Sequence, residues 1–278
     1  MSSVAIIGAG AIGSAVAHRL LECACVNKIQ LLDAEGGVAS GKALDLRQTT
    51  PVVGVDVAVT GSDDLLSASG AAAIVIADRV NGGEWQGEEA LALIGRLVRA
   101  GSAAPLVFAG GAQTPLLEAS HVELRVPADR LLGTATSGLV SAVKAVVGAD
   151  IGRGGVELTI GGRPPALVVG WSSASVEGTA LSEFLPPHRT LAISNSLRKL
   201  WPPGPQTIGA ATAVIVDALI NGSRRLHVAT TILDGEFGVR RVAGALPVEL
   251  GRGRVLRRVV PAFSPQERTE VVNSLNRA

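Results

Sequence analysis

Tyrosine is missing from this 278-residue chain, and aromatic residues make up only 3% of it, as three Trp and four Phe. The absence removes one residue type from the set of general acids. It also leaves a chain that is 47% hydrophobic to build its core from Ala, Val, Leu and Ile, which suit helices packed on buried strands. Cysteine is nearly as scarce. Cys23 and Cys25 are the only two, and a bridge between residues so close closes too small a loop to staple a fold, so two reduced, apolar-packing side chains are expected. With no further Cys or His beside them they offer no tetrahedral metal set, and no metal is expected. Neither sign of charge dominates: 25 Lys plus Arg against 24 Asp plus Glu give +1. That balance lacks the footprint of a nucleic-acid partner. No apolar run reaches the ~18 residues that span a bilayer, so no membrane partner is expected. The first such run, Val4 to Ile7, has neither a basic flank nor a cleavage site, which argues against a signal peptide and for a cytoplasmic chain.

What is present is a strand, a glycine turn and a helix. Val4-Ala5-Ile6-Ile7 is a short buried-strand run, Gly8-Ala9-Gly10-Ala11-Ile12-Gly13 follows, and a helical pattern extends from Ser14 to about Cys25. Lys28 to Asp33 reads as the next strand. Gly36-Gly37 then breaks the chain before helix formers resume over Val38 to Leu46. Further strands are expected at Asp56–Thr60, Ala72–Ala77 and Pro105–Ala109, with helices between them, notably Glu88–Ala100. This alternation predicts an α/β fold with a doubly wound parallel sheet.

The texture changes near residue 131, which predicts two units, 1–131 and 132–278. In the second, Val156–Gly161 and Ala166–Gly170 read as strands paired across Arg163-Pro164-Pro165, Ile208–Ile220 as a helix, and His227–Leu250 as three short strands separated by Asp234-Gly235 and Gly244. Ser264-Pro265-Gln266-Glu267 carries a capping box that starts the last helix.

The glycine turn has the form that cradles a dinucleotide. Gly8 permits the tight turn, Gly10 lets the backbone approach a pyrophosphate, and Gly13 lets helix and strand pack closely, while the amides of Ala11, Ile12 and Gly13 open a helix whose positive end faces the phosphates. Asp33 follows Gly13 by 20 residues at the end of the second strand, where a carboxylate bonds ribose hydroxyls. With no Arg or Lys in the next several positions it repels a 2′-phosphate, so NAD is favoured over NADP. Ala77 and Ala109, at the ends of two later strands, complete the expected cofactor-binding set.

The stretch Leu32-Asp33 through Gly41-Lys42-Ala43-Leu44-Asp45-Leu46 resembles the lactate and malate dehydrogenase family. So do Trp171-Ser172-Ser173, Gly209-Ala210-Ala211-Thr212-Ala213, Leu233 to Val239 and Leu246 to Gly251. The resemblance implies a Rossmann domain followed by an α+β substrate domain, NAD as cofactor, and a homodimer or homotetramer. It also implies a catalytic constellation that this chain has replaced. Eight residues before Trp171, the place of the family's catalytic His, stands Arg163 in Gly161-Gly162-Arg163-Pro164-Pro165. Arginine stays protonated and cannot accept the proton that hydride transfer from a hydroxyl releases. The family's Leu-Asp-Ser-Ala-Arg, source of the orienting Asp and a carboxylate-gripping Arg, corresponds to Thr134 through Ser141, which contains neither. Its substrate loop becomes Ala77 through Gly87, with Asn81 and Gly87 nearest the expected arginines, and its Asn-Pro-Val-Asp turn becomes Gly110-Gly111-Ala112-Gln113.

Two residues stand as candidates for the missing chemistry: His188, in a segment that lies over the family's substrate cleft, as a replacement base, and Arg163 as a fixed cation for a small anionic ligand. His18, His121 and His227 read as surface or packing residues. The leading expectation is an NAD-binding relative that has lost the usual hydride transfer. Its alternatives are an active oxidoreductase on an atypical 2-hydroxy acid and a structural or partner-binding protein without cofactor.

Overall fold

The computed structural model describes residues 2–277. Six parallel strands, β1 (Ser3–Ile7), β2 (Lys28–Leu32), β3 (Ala58–Ser62), β4 (Ala73–Ile76), β5 (Leu106–Phe108) and β6 (Leu131–Gly133), lie in the order β3-β2-β1-β4-β5-β6. That is the doubly wound order predicted from the alternation, and it places a crevice outside the carboxyl ends of β1 and β4, where the strand order reverses. Helices α1 (Ala11–Cys23), α2 (Gly36–Val53), α3 (Gly87–Arg99) and α4 (Thr114–Val122) connect the strands.

The central strands β1, β4 and β5 are apolar on both faces because helices cover both. Val4, Ile6, Ile29, Leu31 and Val75 join one buried cluster with Val16 and Leu20 of α1. Ala5, Ile7, Ile74 and Ile76 join another with Leu93, Ile94 and Leu97 of α3. At about 25 cal/mol per Å², each such side chain contributes roughly 1.5–3 kcal/mol, and this burial rather than any aromatic packing holds the sheet together.

The sheet continues without interruption into the second half of the chain. Strands β7 (Ile160–Arg163), β8 (Ala166–Val169), β9 (His227–Asp234), β10 (Arg240–Gly251) and β11 (Arg254–Arg258) extend it as β6-β9-β10-β7-β8, all antiparallel, with β11 pairing the end of β10 on the edge away from β9. At the seam Thr230 pairs with Gly133. Side chains reinforce it: Thr136 Oγ1 meets Thr230 Oγ1 at 3.2 Å, and the Ser137 hydroxyl donates to the Val228 carbonyl. Around this layer pack α5 (Ala135–Ile151), α6 (Pro187–Ser196), α7 (Pro205–Asn221) and α8 (Pro265–Leu275). Ser264 and Glu267 form the expected capping box at the start of α8.

Local expectations need correcting at four places. Gly36-Gly37 opens α2 instead of breaking the chain. Gly244 lies inside the unbroken strand β10, where a Cβ would stand 2.6 Å from Leu233 Cδ1 and 2.8 Å from Leu275 Cδ2. It is there for close packing, not for a turn. Val156–Gly161 is split: Val156–Glu157 joins a small separate sheet with Ser175–Val176, and only Ile160 onward pairs with β8. Finally, Cys23 and Cys25 do not pack apart as apolar side chains. Ala24 takes a left-handed conformation (φ 49°) at the end of α1, and the two sulfurs meet across that turn with their Cα atoms 5.3 Å apart. Among the described residues no helix is long and apolar enough to cross a membrane, and no group of three or more His, Cys, Asp or Glu could hold a metal ion.

Candidate functional site

The glycine turn leaves the carboxyl end of β1 as expected. Gly8 has φ +112°, a conformation open only to glycine, and its N–H donates to the Leu32 carbonyl at 2.7 Å. A Cβ at Gly13 would overlap the Gly8 carbonyl, so Gly13 sets the close approach of α1 to β1. Asp33 is buried at the end of β2. Its Oδ2 accepts from the Ala9 N–H (2.8 Å) and the Val80 N–H (3.1 Å), and its Oδ1 from the Glu35 N–H (3.1 Å). Of the roughly four lone-pair positions on a carboxylate, three are engaged. Lys42, which the sequence did not single out, reaches back from α2 to donate its ammonium to the Ala9 carbonyl and to Ser14 Oγ (2.9 Å).

The space in front of Gly10 is taken by the chain itself. After β4 the backbone turns through a short hairpin in which Asp78 pairs with Glu84 and Arg79 with Gly83. The Asp78 carbonyl accepts the Gly10 N–H at 2.8 Å, and its carboxylate accepts the Gly13 N–H at 2.9 Å. A Cβ at Gly10 would run into that carboxylate. Glu84, across the hairpin, accepts from the Gly111 N–H (3.0 Å) and the Ala112 N–H (2.8 Å) beyond β5. Arg79 stacks 4.8 Å over the ring of the buried Trp85 and pairs with Glu89 at 2.8 Å. Gln113, buried, ties the region together: its Oε1 accepts from the Gly110 N–H (2.8 Å) and its amide donates to the carbonyls of Ala77 (3.1 Å) and Trp85 (3.2 Å). The glycine turn and Asp33 thus have the form that receives a pyrophosphate and a ribose. With the hairpin in place, however, the Gly10 amide is taken by a backbone carbonyl and the Gly13 amide by a carboxylate, so neither is free for a phosphate.

The positions of the replaced constellation are occupied in a consistent way. Arg163, on β7, bonds Glu118 of α4 at 2.7 Å, with both side chains about 20% exposed, and the other Glu118 oxygen accepts the Ala243 N–H at 2.7 Å. Its charge is spent on this pair. In the stretch 134–141, Thr134 is buried and shares a 2.6 Å hydrogen bond with Thr212, and a Cβ on Gly138 would stand 3.3 Å from Pro203. A Cβ on Gly111 would stand 2.5 Å from Pro202 Cβ. Trp201-Pro202-Pro203 therefore fills the space that these glycines leave. What remains is a cavity of about 10 Å³ lined by Phe108, Gly110, Gly111, Gln113 and Trp201 among others, no larger than one water needs.

The histidines are dispersed. His188 is exposed in the first turn of α6, next to Arg189, which pairs with Asp150 at 2.7 Å. His227 is half-buried, its Nε2 2.8 Å from Ser223 Oγ. Burial, helped by Arg225 and opposed by Asp217, holds its pKa below the ordinary 6.5. His121 bonds the Val126 carbonyl through Nδ1, and His18 is exposed beside Glu22.

Comparison with known proteins gives these features a context. Residues 2–96 match the model of the lactate/malate dehydrogenase NAD binding domain. The malate dehydrogenase of Dehalococcoides mccartyi is 28% identical over 300 aligned positions, covering 96% of this chain and 94% of that protein. That of Thioalkalivibrio sulfidiphilus is 26% identical, covering 99% and 96%. Among solved structures, a minor L-lactate dehydrogenase from Enterococcus mundtii superposes with a TM-score of 0.88 at 20% identity over 98% of this chain and 95% of the other. A lactate dehydrogenase from a Medee basin deep-sea metagenome gives 0.89 at 20% identity over 99% and 96%.

Proposed function

We propose, for a chain that belongs to the lactate/malate dehydrogenase family and whose matched domain indicates NAD as the cofactor, that it binds NAD(H) but has lost the family's 2-hydroxyacid hydride transfer. The observation that carries this reading is the joint fate of the reactive positions. Arg163 replaces the base and is held by Glu118, while the turn and the stretch that lack the family's Asn, Asp and Arg carry Gly111 and Gly138, against which Pro202 and Pro203 pack.

NAD supplies hydride exchange when bound, and the rest of that reaction needs a group that takes the hydroxyl proton and a cation that grips the carboxylate. Arg163 is unsuited to the first because it stays protonated, and its pairing with Glu118 removes it from the second. In this reading Gly8, Gly10, Ala11, Ile12, Gly13, Asp33, Ala77 and Ala109 hold the dinucleotide, with residues 1–131 as the cofactor unit and 132–278 as the remnant of the substrate unit. The exposed side chains of Val38, Leu44, Val52 and Val53 along α2 support assembly into a homodimer or homotetramer, and a cytoplasmic location fits the family.

Two measurements test the proposal. NADH titration by fluorescence is expected to saturate in the micromolar to millimolar range, and incubation of the protein and NAD with malate, lactate and a panel of other 2-hydroxy acids is expected to yield no NADH. Turnover with any of them that disappears in His188→Ala would replace this reading with that of an active enzyme using His188 as base.

A further inference from the structure

Building on the dinucleotide reading, we infer that the 78–84 hairpin is a two-pronged plug. Its own carboxylates occupy the cofactor crevice, and a dinucleotide enters only as the hairpin withdraws. The crevice lies where the strand order reverses, at the carboxyl ends of β1 and β4, and the hairpin issues directly from β4. Its two acidic residues sit opposite each other in the hairpin register. One prong, Asp78, takes the Gly13 amide at the start of the 13-residue helix α1, while its carbonyl takes the Gly10 amide. The other, Glu84, takes the Gly111 and Ala112 amides on the far side of the crevice. Because the two are register partners, they seat and leave together.

The Gly10 and Gly13 amides are among the donors a bound pyrophosphate would use. Free amides at a helix start attract negative charge, and the plug satisfies them from within. The doubly charged pyrophosphate of NAD cannot enter beside two carboxylates, since like charges at such range repel strongly in a partly buried site. Withdrawal also changes Asp33: the Val80 N–H that Asp33 Oδ2 accepts belongs to the hairpin. When it leaves, Asp33 Oδ2 keeps the Ala9 N–H but loses one of its two donors, which releases a lone-pair position on the carboxylate expected to bond the ribose. Glycines at the hairpin tip, Gly82 and Gly83 (φ +66°), and just beyond its C-terminal end, Gly87 (φ +66°), give the backbone its freedom. Removing the negative charge from either prong therefore weakens the plug and the repulsion together.

The test is NADH titration of the wild type, Asp78→Asn, Glu84→Gln and the double variant, with amide hydrogen exchange over residues 79–84 in the wild type with and without NADH. Each single change is expected to tighten NADH binding, and the double change by about tenfold or more. In the wild type, saturation with NADH is expected to raise exchange across the hairpin. Equal affinity in all four proteins with unchanged hairpin exchange overturns the plug and leaves the dinucleotide reading intact. No saturable binding in any of them overturns both. Should a variant fail to fold, as judged by its thermal transition, the wild-type exchange result decides alone: deprotection on binding supports the plug and unchanged protection refutes it.

Discussion

Arg163→Met is the substitution that separates a structural arginine from a ligand-binding one. The Arg163–Glu118 pair is 2.7 Å long and about four-fifths buried on both sides, and Glu118 is fixed at its other oxygen by the Ala243 amide. Removing the guanidinium strands a carboxylate that cannot swing freely to water. Deleting one partner of a fully buried pair costs about 3–5 kcal/mol and of an exposed pair about 0–1, so this site falls at about 2 kcal/mol. For a chain of this size that is a fall of about 3–4 °C in Tm. Urea unfolding followed by circular dichroism measures it, with Glu118→Gln and the double variant completing a cycle. Coupling above about 1 kcal/mol is expected, because each single change leaves the other group unpaired. A loss in Arg163→Met below about 0.5 kcal/mol, with an unchanged m-value, would refute the reasoning and return Arg163 to the pool of available anion-binding cations. Arg163→His, which restores the family's residue, is expected to show no malate or lactate turnover, because the stretch 134–141 still has no Asp or Arg.

Further outcomes follow from the same geometry. Gly111→Val should destabilise the protein by about 1–3 kcal/mol, seen as a lower denaturation midpoint, because its side chain must displace Pro202. Asp33→Ala should cost about 3 kcal/mol and abolish NADH binding, since it leaves the Ala9, Glu35 and Val80 amides without their acceptor. His227, with its pKa held below 6.5 by burial, favours the fold fully above that pH and opposes it increasingly below; His227→Gln should flatten the acid side of a Tm-against-pH curve just under 6.5. Burial works to raise the Glu267 carboxyl, but hydrogen bonds from Ser172 and Ser264 outweigh it and hold the group below 4.5. Its contribution is complete above 4.5 and lost as pH falls beneath it, so Glu267→Gln should lessen the stability loss in that acid range.

The glycine turn, Asp33 and the doubly wound order were legible because each depends on local rules: a short apolar run, a φ only glycine adopts, and a carboxylate at a fixed distance along the chain. The replaced constellation was legible too, as residues absent from positions that the family resemblance marks. What fills those positions was not. Nothing near Gly111 or Gly138 in the sequence points to Pro202 and Pro203, which come from a segment more than 60 residues later. Glu118 likewise reads as an ordinary helix residue until β7 and β10 bring Arg163 and the Ala243 amide to it. The Asp78 and Glu84 prongs had one available signal, acidic residues after β4 where the crevice must lie, but their docking depends on amides from two distant turns. Gly36 and Gly244 were misread for a single reason: glycine marks close packing as readily as it marks a break, and the sequence alone does not distinguish them.

The seam between the two halves of the sheet has a kinetic consequence. Thr136 and Thr230, which meet there, are 94 positions apart, whereas the paired residues Val4 and Ile29 of β1 and β2 are 25 apart, Ile74 and Leu106 of β4 and β5 are 32 apart, and Val4 and Ala73 of β1 and β4 are 69 apart. Contacts that close long loops form late, so the parallel half can assemble while the antiparallel half is still being made and the join between them waits for β9. Until β9 arrives, β6 is a bare sheet edge with its backbone groups open to any passing strand.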